Sequence, residues 1–232
     1  MKKSNVIALI PARSGSKGIK NKNLLKINRE SLVQIALKNA CSSKEINEVY
    51  LSSDSRKILA EAKKFSGVNI HKRDKKSSSD KASSKDVLKS FLKSKKFQNQ
   101  ILVYIQPSSP LKNSKHLNKS IKIFKKQNKN TLISCYRADD TLNEKIFKSF
   151  IKEKKNITPF FKKNSLYTNR QNLKEILIPN GAFFIFRISK NFLKNYINFK
   201  NSYGYIMKKH EAIDINDIDD FKKAKKFLNK KP

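Results

Sequence analysis

A short apolar stretch followed at once by a polar loop decides the fold of this chain. It reads Ile7-Ala-Leu-Ile-Pro-Ala-Arg-Ser-Gly-Ser-Lys-Gly-Ile-Lys-Asn-Lys-Asn-Leu24. The apolar residues 6–10 predict a buried strand, and Pro11 ends it because proline has no N–H to give to a neighbouring strand. Parallel α/β sheets bind ligands just beyond the carboxyl ends of their strands. The stretch therefore predicts a strand of a parallel α/β sheet. It also predicts a ligand-binding site in the loop at the carboxyl end of that strand.

The loop after this strand has the composition of a phosphate-binding turn. Gly15 and Gly18 let the backbone turn with its N–H groups outward, while Arg13 and the neighbouring lysines supply positive charge. The spacing matches neither the Walker pattern nor Gly-x-Gly-x-x-Gly. A plain surface turn in a lysine-rich protein is the alternative, but the position directly after a strand favours phosphate binding.

Strand-like and helix-like patterns alternate along most of the chain. The predicted strands cover residues 6–10, 48–52, 68–71, 101–105, 131–136, 181–186 and 203–207. The predicted helices cover residues 31–40, 56–65, 86–94, 114–127, 190–195 and 217–228. Asp54 is predicted to cap the second helix, and residues 75–84 are predicted to form a loop. This alternation predicts an α/β fold with three layers and a doubly wound, mostly parallel sheet.

The alternation is lost between residues 137 and 174, where short β-type pieces and polar turns occur without a strong helix. This texture predicts an insertion that projects from the sheet. With no repeat and no linker, the 232 residues are predicted to form a single domain, 1–232.

The charge of the chain is extreme but carries little information about function. The formal net charge is +35, a value that usually indicates a nucleic-acid partner. However, only seven of the 53 basic residues are arginine, and the lysines are spread over every predicted helix rather than forming one stripe. Drift in coding composition is a sufficient cause, so we expect no specific nucleic-acid partner. A non-catalytic polyanion-binding protein is kept as the alternative.

Cysteine usage and hydropathy predict the compartment. Cys41 and Cys135 lie far apart without metal-ligand spacing and are expected to be buried, which fits a reducing cytoplasm. The apolar run before Pro11 is too short for a signal peptide, and no later run could span a membrane. We therefore expect a cytoplasmic protein without a membrane partner.

Five short motifs, in order and spread over nearly the whole chain, resemble the CMP-sugar synthetases of the acylneuraminate cytidylyltransferase family. They are Pro11–Asn23, Ser79-Asp-Lys-Ala-Ser-Ser84, Gln106-Pro-Ser-Ser-Pro-Leu111, Pro179-Asn-Gly-Ala182 and Ile213-Asp-Ile-Asn216. The resemblance implies a Rossmann-like fold of the nucleotide-diphospho-sugar transferase type. It also implies that the chain joins CMP from CTP to a 2-keto-3-deoxy sugar acid and releases pyrophosphate.

The resemblance also assigns roles to individual residues. The expected nucleotide-binding residues are Ala12, Arg13, Ser14, Gly15, Ser16, Lys17, Gly18, Lys22, Asn23, Arg73, Ala82 and Ser84. The expected sugar-binding residues are Gln106, Arg170 and Asn180, and the expected catalytic residues are Arg13, Lys22 and Asp214. Asp214 and Asn216 are expected to hold Mg²⁺, the expected cofactor, against the phosphates. No general base is identified among His71, His116 and His210.

The sequence departs from the family pattern near the expected metal and sugar sites. Asn216 stands where a second aspartate is common; Asp217 or Asp54 could compensate, or the triphosphate could hold the metal. Phe184 replaces a frequent tyrosine, so N-acetylneuraminic, legionaminic and pseudaminic acids all stay open as the sugar. Family resemblance further implies a homodimer formed through residues 137–174. A transferase of the same fold that uses another nucleotide or sugar is the second enzymatic alternative.

Overall fold

The computed structural model describes residues 5–15, 18–79, 82–94, 100–153, 156–161, 168–189, 192–193 and 202–229. The strands within these residues are β1 (Val6–Pro11), β2 (Lys26–Ile27), β3 (Glu30–Ser31), β4 (Glu48–Ser53), β5 (Val68–Lys72), β6 (Ile101–Ile105), β7 (Thr131–Arg137), β8 (Phe150–Glu153), β9 (Asn156–Pro159), β10 (Leu177–Arg187) and β11 (Ser202–Met207). The α-helices within them are α1 (Leu32–Cys41), α2 (Arg56–Ala60), α3 (Lys75–Ser78), α4 (Ser84–Ser94), α5 (Ser114–Lys126), α6 (Asp140–Phe147) and α7 (Ile218–Asn229).

Seven strands form one sheet in the order β11-β7-β10-β6-β1-β4-β5. Neighbouring strands are parallel except at β10, which runs antiparallel to both β6 and β7. Starting at the central β1, the chain adds β4 and β5 on one side and then β6 on the other. The predicted mostly parallel, doubly wound sheet is therefore confirmed.

Two apolar clusters on opposite faces of the sheet make the three layers. On β1, the side chains of Val6, Ala8 and Ile10 pack in one cluster with α1, α2 and α5. Those of Ile7 and Leu9 pack in the other cluster with α4. Because successive side chains of a strand point to opposite faces, helices on both sides are needed to cover this all-apolar strand.

The second predicted helix begins and ends differently from the prediction. Ser55, not Asp54, caps α2, since its hydroxyl oxygen accepts a hydrogen bond from the N–H of Ile58 at 3.4 Å. The α-helix stops at Ala60 and continues as a 3-10 helix over Glu61–Lys64. Asp54 instead accepts hydrogen bonds from Ser14, in the loop after β1.

The segment predicted to lack a strong helix contains α6. Asp139 caps this helix by accepting from the N–H of Leu142 at 2.9 Å, and no residue of the helix is buried. Leu142 and Ile146 share one side of this helix, but eight residues are too few for hydrophobic periodicity to identify a helix. The predicted short β pieces of this segment are confirmed as the antiparallel hairpin of β8 and β9.

Smaller differences from the predictions concern one loop, one cysteine and one helix. The predicted loop 75–84 contains the one-turn helix α3. Cys135 is buried as expected, but Cys41, the last residue of α1, is exposed. Of the predicted helix 190–195, all but residues 192–193 lie outside the described residues. No helix in the described part of the chain is long and apolar enough to cross a membrane.

Candidate functional site

The loops at the carboxyl ends of β1, β5 and β6 surround a cavity of about 450 Å³. The start of α4 and the segment before α7 complete its wall. This is the edge of a parallel sheet where ligands bind, because the loops there converge while the strands hold them in fixed positions. The end of β1 and the loop that follows it thus form one side of the cavity.

The loop after β1 packs directly on the segment before α7. A Cβ added to Gly18 would lie 2.2 Å from the backbone oxygen of Asn216, closer than any real contact, so only glycine fits here. The Nζ of Lys22 donates to the carbonyl of Ile215 at 2.6 Å. These contacts bring the two segments together at the cavity, which both Lys22 and Asn216 line.

Asp54 orders the first half of the same loop. Its carboxylate accepts from the backbone N–H of Ser14 at 3.0 Å and from the Ser14 hydroxyl at 2.6 Å. Burial alone would raise the pKa of Asp54, but the hydrogen bonds from Ser14 and the charge of Arg73 outweigh it and lower that pKa. The loop backbone is thereby held by an ionised carboxylate that is contributed by the end of β4.

Arg73 enters the cavity from the end of β5 and is only 8% exposed. Its Nε–H donates to the hydroxyl of Ser52 at 2.9 Å. Burial lowers the pKa of Arg73, and Tyr104 and Asp54 oppose this shift. Since a guanidinium stays protonated in proteins, Arg73 adds a fixed positive charge to those of Arg13 and Lys22.

The loop after β6 is organised around a buried lysine that the sequence analysis missed. Lys112 is 1% exposed, and its Nζ donates to the carbonyl oxygens of Gln106 at 2.5 Å and of Ser109 at 2.7 Å. Burial lowers the pKa of Lys112 to about 7, although the nearby Asp214 acts in the opposite direction. Nothing in the sequence distinguishes this lysine from the many exposed ones, because its burial depends on distant parts of the chain.

Asp214 and Asn216 lie where the loop after β6 meets the segment before α7. The Ser109 hydroxyl donates to one carboxylate oxygen of Asp214 at 3.2 Å, and the Asn216 amide nitrogen lies 3.4 Å from the other. The side-chain nitrogen of Asn216 faces the carboxylate of Asp214. A cation can be held by both side chains only if the Asn216 amide flips, so that its oxygen faces the cation instead. One carboxylate is nonetheless a sufficient protein ligand for Mg²⁺, which commonly keeps waters and substrate phosphates as its other ligands.

The two acidic residues considered as replacements for a second aspartate both accept hydrogen bonds from other residues. Asp54 binds Ser14, as described above, and Asp217 accepts from the N–H of Asp220 at 2.8 Å, near the start of α7. In the part of the chain that the structure describes, no group of three or more acidic, histidine or cysteine side chains could hold a metal. Any metal here depends on Asp214 and on a bound ligand.

Most of the predicted site residues converge on the cavity. Those that line it are Arg13, Gly18, Lys22, Asn23, Arg73, Ala82, Ser84, Gln106 and Asn216. Ala12, Ser14 and Gly15 lie in the same loop but are not part of the lining, and Ser16 and Lys17 lie outside the described residues. Asp214 is adjacent, within 4 Å of the Cβ position of Gly181.

The two remaining sugar-site predictions fall away from the cavity. Asn180 is 5% exposed, and its side-chain oxygen accepts from the Ser134 hydroxyl at 2.6 Å. Arg170 lines a separate cavity of about 410 Å³ next to α6, where it lies 3.7 Å from the carboxylate of Asp140. The contacts of Asn180 and Arg170 with a sugar stay predictions. Within one chain, Arg170 and Gln106 line different cavities.

Six residues that line the cavity were not among the predicted site residues, and one ion pair was also missed. Four of the six belong to the quoted motifs, whereas Val87 and Tyr104 lie outside them and have the pattern of an ordinary helix residue and an ordinary strand residue. His116 has a carboxylate partner after all, since its Nε2 lies 3.4 Å from Glu211. Neither member of that pair lines the cavity, so it supplies no general base there.

Comparison with known proteins gives a consistent result. The family described as cytidylyltransferase matches residues 7–230. The chain is 30% identical to an N-acylneuraminate cytidylyltransferase of Escherichia coli O18:K1:H7 over 99% of its own length and 53% of that protein. It is 29% identical to a pseudaminic acid cytidylyltransferase of Campylobacter jejuni over 94% of both chains. The chain thus spans about half the length of the first relative and almost all of the second.

Solved structures agree on the fold. A CMP:2-keto-3-deoxy-manno-octonic acid synthetase complexed with CTP superposes with a TM-score of 0.71 at 13% identity, covering 97% of this chain and 99% of that one. A 4-diphosphocytidyl-2C-methyl-D-erythritol synthase of Anaerococcus prevotii reaches 0.66 at 13% identity, with 98% and 97% covered. At these identities the likeness is one of fold, and it supports the Rossmann-like architecture expected from the motifs.

Proposed function

We propose that this chain, which belongs to the cytidylyltransferase family, joins CMP from CTP to a 2-keto-3-deoxy sugar acid of the nonulosonic type. The observation that carries the proposal is the convergence of Arg13, Lys22 and Arg73 on one cavity, beside the oxygen ligands of residues 214–216. A triphosphate carries several negative charges, and a cavity lined by three cations, with one carboxylate next to it, suits a triphosphate together with a metal. The names of the relatives support the sugar-acid class.

In the proposed reaction the anomeric hydroxyl of the sugar acid attacks the α-phosphorus of CTP. The O–H bond of that hydroxyl breaks and its proton passes to water. The bond from the phosphorus to the bridging oxygen also breaks, and pyrophosphate leaves with the electron pair of that bond. Such a transfer depends mainly on alignment and on neutralising phosphate charge. Arg13 and Lys22 would bind the phosphates, and the rigid packing of Gly18 on Asn216 would hold their loop in place.

The nucleoside would occupy the part of the cavity near Asn23, Ala82 and Ser84. Asn23 is 7% exposed, and its amide nitrogen donates to the carbonyl of Arg13 at 2.9 Å, so its position is fixed before any ligand binds. Cytosine presents an amino donor at N4 and acceptors at N3 and O2. The carbonyl oxygen of Asn23, the hydroxyl of Ser84 and the loop backbone can complement these groups.

Mg²⁺ is the proposed cofactor, with Asp214 as its single carboxylate ligand and Asn216 as a neutral one after its amide turns over. When bound, the ion would neutralise phosphate charge and polarise the oxygens of the triphosphate. The protein's own contribution is to hold Asp214 through the Ser109 hydroxyl and to hold Lys22, from the loop after β1, against the carbonyl of Ile215 next to it.

A homodimer formed through residues 137–174 is also proposed. The hairpin of β8 and β9 and the turn after it expose Phe150, Ile151 and Phe160, which are between 43% and 56% accessible. Apolar side chains grouped this way suit a protein interface. A sugar site that uses both Gln106 and Arg170 requires either such a partner or a movement of this segment, because the two residues line different cavities.

The experiment is a pyrophosphate-release assay with CTP, Mg²⁺ and a panel of N-acetylneuraminic, legionaminic, pseudaminic and 3-deoxy-manno-octulosonic acids. We expect turnover with at least one nine-carbon acid, and a decrease of about 10²-fold in Arg13→Ala, which removes a charge from the phosphate site. Arg56→Ala, at an exposed position of α2, is the matched control and should retain activity. No turnover with any acid, or preferential binding of UTP, GTP or ATP over CTP, would contradict the proposal.

A further inference from the structure

Arg73 is oriented by a chain of two buried polar side chains that lies behind the cavity. Ser52 and His71 are paired across the parallel strands β4 and β5, and they are 0% and 8% exposed. The Ser52 hydroxyl contacts the Nε of Arg73 and the Nδ1 of His71, both at 2.9 Å. Within the described residues, the hydrogen bonds of Arg73 are the one to Ser52 and one from its backbone N–H to the carbonyl of Ser53.

The direction of each hydrogen bond in this chain follows from its chemistry. The guanidinium of Arg73 can only donate, so Ser52 accepts from it. Ser52 is fully buried, and within the described residues the acceptor for its hydroxyl hydrogen is Nδ1 of His71, so Nδ1 accepts. His71 therefore carries its proton on Nε2, a tautomer that the nearby backbone of Ser90 in α4 favours.

A neutral His71 is also what its surroundings favour. Burial lowers the pKa of His71, and the charge of Arg73 lowers it further. Asp74 and the backbone of Ser90 act in the opposite direction, and α4 otherwise presents the edge-on ring of Phe91, whose centre lies 5.3 Å away. A doubly protonated His71 would point a second donor at Ser52 and leave a buried hydroxyl hydrogen without its acceptor.

We infer that Ser52 and His71 are positioning residues that hold the guanidinium of Arg73 in the orientation needed to bind CTP. Because Ser52 engages Nε, the guanidinium plane is fixed from behind and its two terminal nitrogens are left to serve the cavity. His71 does not line that cavity and touches no reacting group, so it acts only through Ser52 and Arg73. The inference rests on the proposed function, since it assumes that the cavity takes CTP.

The test compares CTP affinities by isothermal titration calorimetry in the wild type, Ser52→Ala, His71→Phe and His71→Asn. Removing either link should raise the dissociation constant about tenfold, the usual cost of misplacing one charge-assisted hydrogen bond. Asn places a carbonyl oxygen near the position of Nδ1 and can accept from Ser52, so His71→Asn should stay within about twofold of the wild type. Near-normal affinity in both Ser52→Ala and His71→Phe would overturn the inference.

A second measurement separates positioning from general structural damage. In an Arg73→Ala background, where nothing remains to be oriented, Ser52→Ala and His71→Phe should each change the affinity by less than about twofold. An undiminished effect in that background would mean that these residues act independently of Arg73, and would also overturn the inference. Should His71→Phe fail to fold, the smaller change Ser52→Ala provides the same comparison. Failure of the wild type to bind CTP would instead contradict the proposed function.

Discussion

The buried Lys112 makes the stability of this protein depend on pH in a way that one substitution can isolate. Its pKa is lowered from 10.5 to about 7 by burial, so the unfolded chain binds a proton that the folded chain releases above pH 7. The penalty for burying the ammonium group is absent above pH 10.5, grows as the pH falls, and is complete below pH 7. Stability from this group therefore rises with pH between those values.

The size of the effect follows from the pKa difference. One unit corresponds to about 1.4 kcal/mol, so the full penalty of charging Lys112 in the fold is about 5 kcal/mol. Between pH 7, where the folded-state amine is half protonated, and pH 9, where it is neutral, the wild type should gain about 2 kcal/mol from this group. The neutral amine still has N–H groups to donate to the carbonyls of Gln106 and Ser109, so the loop keeps its contacts.

The assay is urea denaturation of the wild type and of Lys112→Met at pH 7 and pH 9. Other titrating groups are common to both proteins, so the difference between their pH responses reports Lys112 alone. The free energy of unfolding should rise by about 2 kcal/mol more in the wild type than in the variant. Lys122→Met, at an exposed position of α5, is the matched control and should behave like the wild type. Parallel pH responses of the wild type and Lys112→Met would refute the reasoning.

Three further expectations concern the loop, the metal and the oligomer. Gly18→Ala should weaken CTP binding about tenfold or more, because its Cβ would lie 2.2 Å from the oxygen of Asn216 and must displace the loop; unchanged calorimetric affinity would contradict this. Asp214→Asn should raise the Mg²⁺ concentration for half-maximal pyrophosphate release about tenfold, since it removes the only proposed carboxylate ligand; an unshifted Mg²⁺ titration would exclude that role. Phe160→Glu should convert a dimer into a monomer, because it places a charge in the proposed apolar interface. Light scattering at micromolar concentration would measure the mass, and a monomeric wild type would contradict the proposed dimer.

Local patterns were sufficient for the seven strands of the main sheet and for the larger helices of the described residues. The apolar run of β1 has side chains on both faces to bury, so it could only be a central strand covered by helices on both sides. Gly18 was recognised as a turn residue, and the structure adds the reason that it must be glycine. The loops after β1, β5 and β6 then had to meet, because strand direction in a parallel sheet places their carboxyl ends at one edge.

Other features depend on neighbours that are distant in sequence, and local patterns cannot report them. Asp54 looked like a helix cap because its nearest neighbours suit one, but the stronger donors of Ser14 lie forty residues away. Helix α6 escaped detection because its eight residues are too few for a clear helical period. Arg170 was grouped with Gln106 by the family resemblance, whereas the fold separates the two into different cavities.

The sequence by itself determined the fold class and the edge of the sheet at which the cavity lies, since strand periodicity is a local property of the chain. The resemblance of its motifs to a known family supplied most of the residues that line the cavity. Tertiary structure alone decided which charges are buried. Lys112 is chemically the same as the exposed lysines around it, and Ser52 and His71 are unremarkable in the sequence. Their roles come from desolvation and from hydrogen bonds between separate strands and loops, and these exist only once the sheet has assembled.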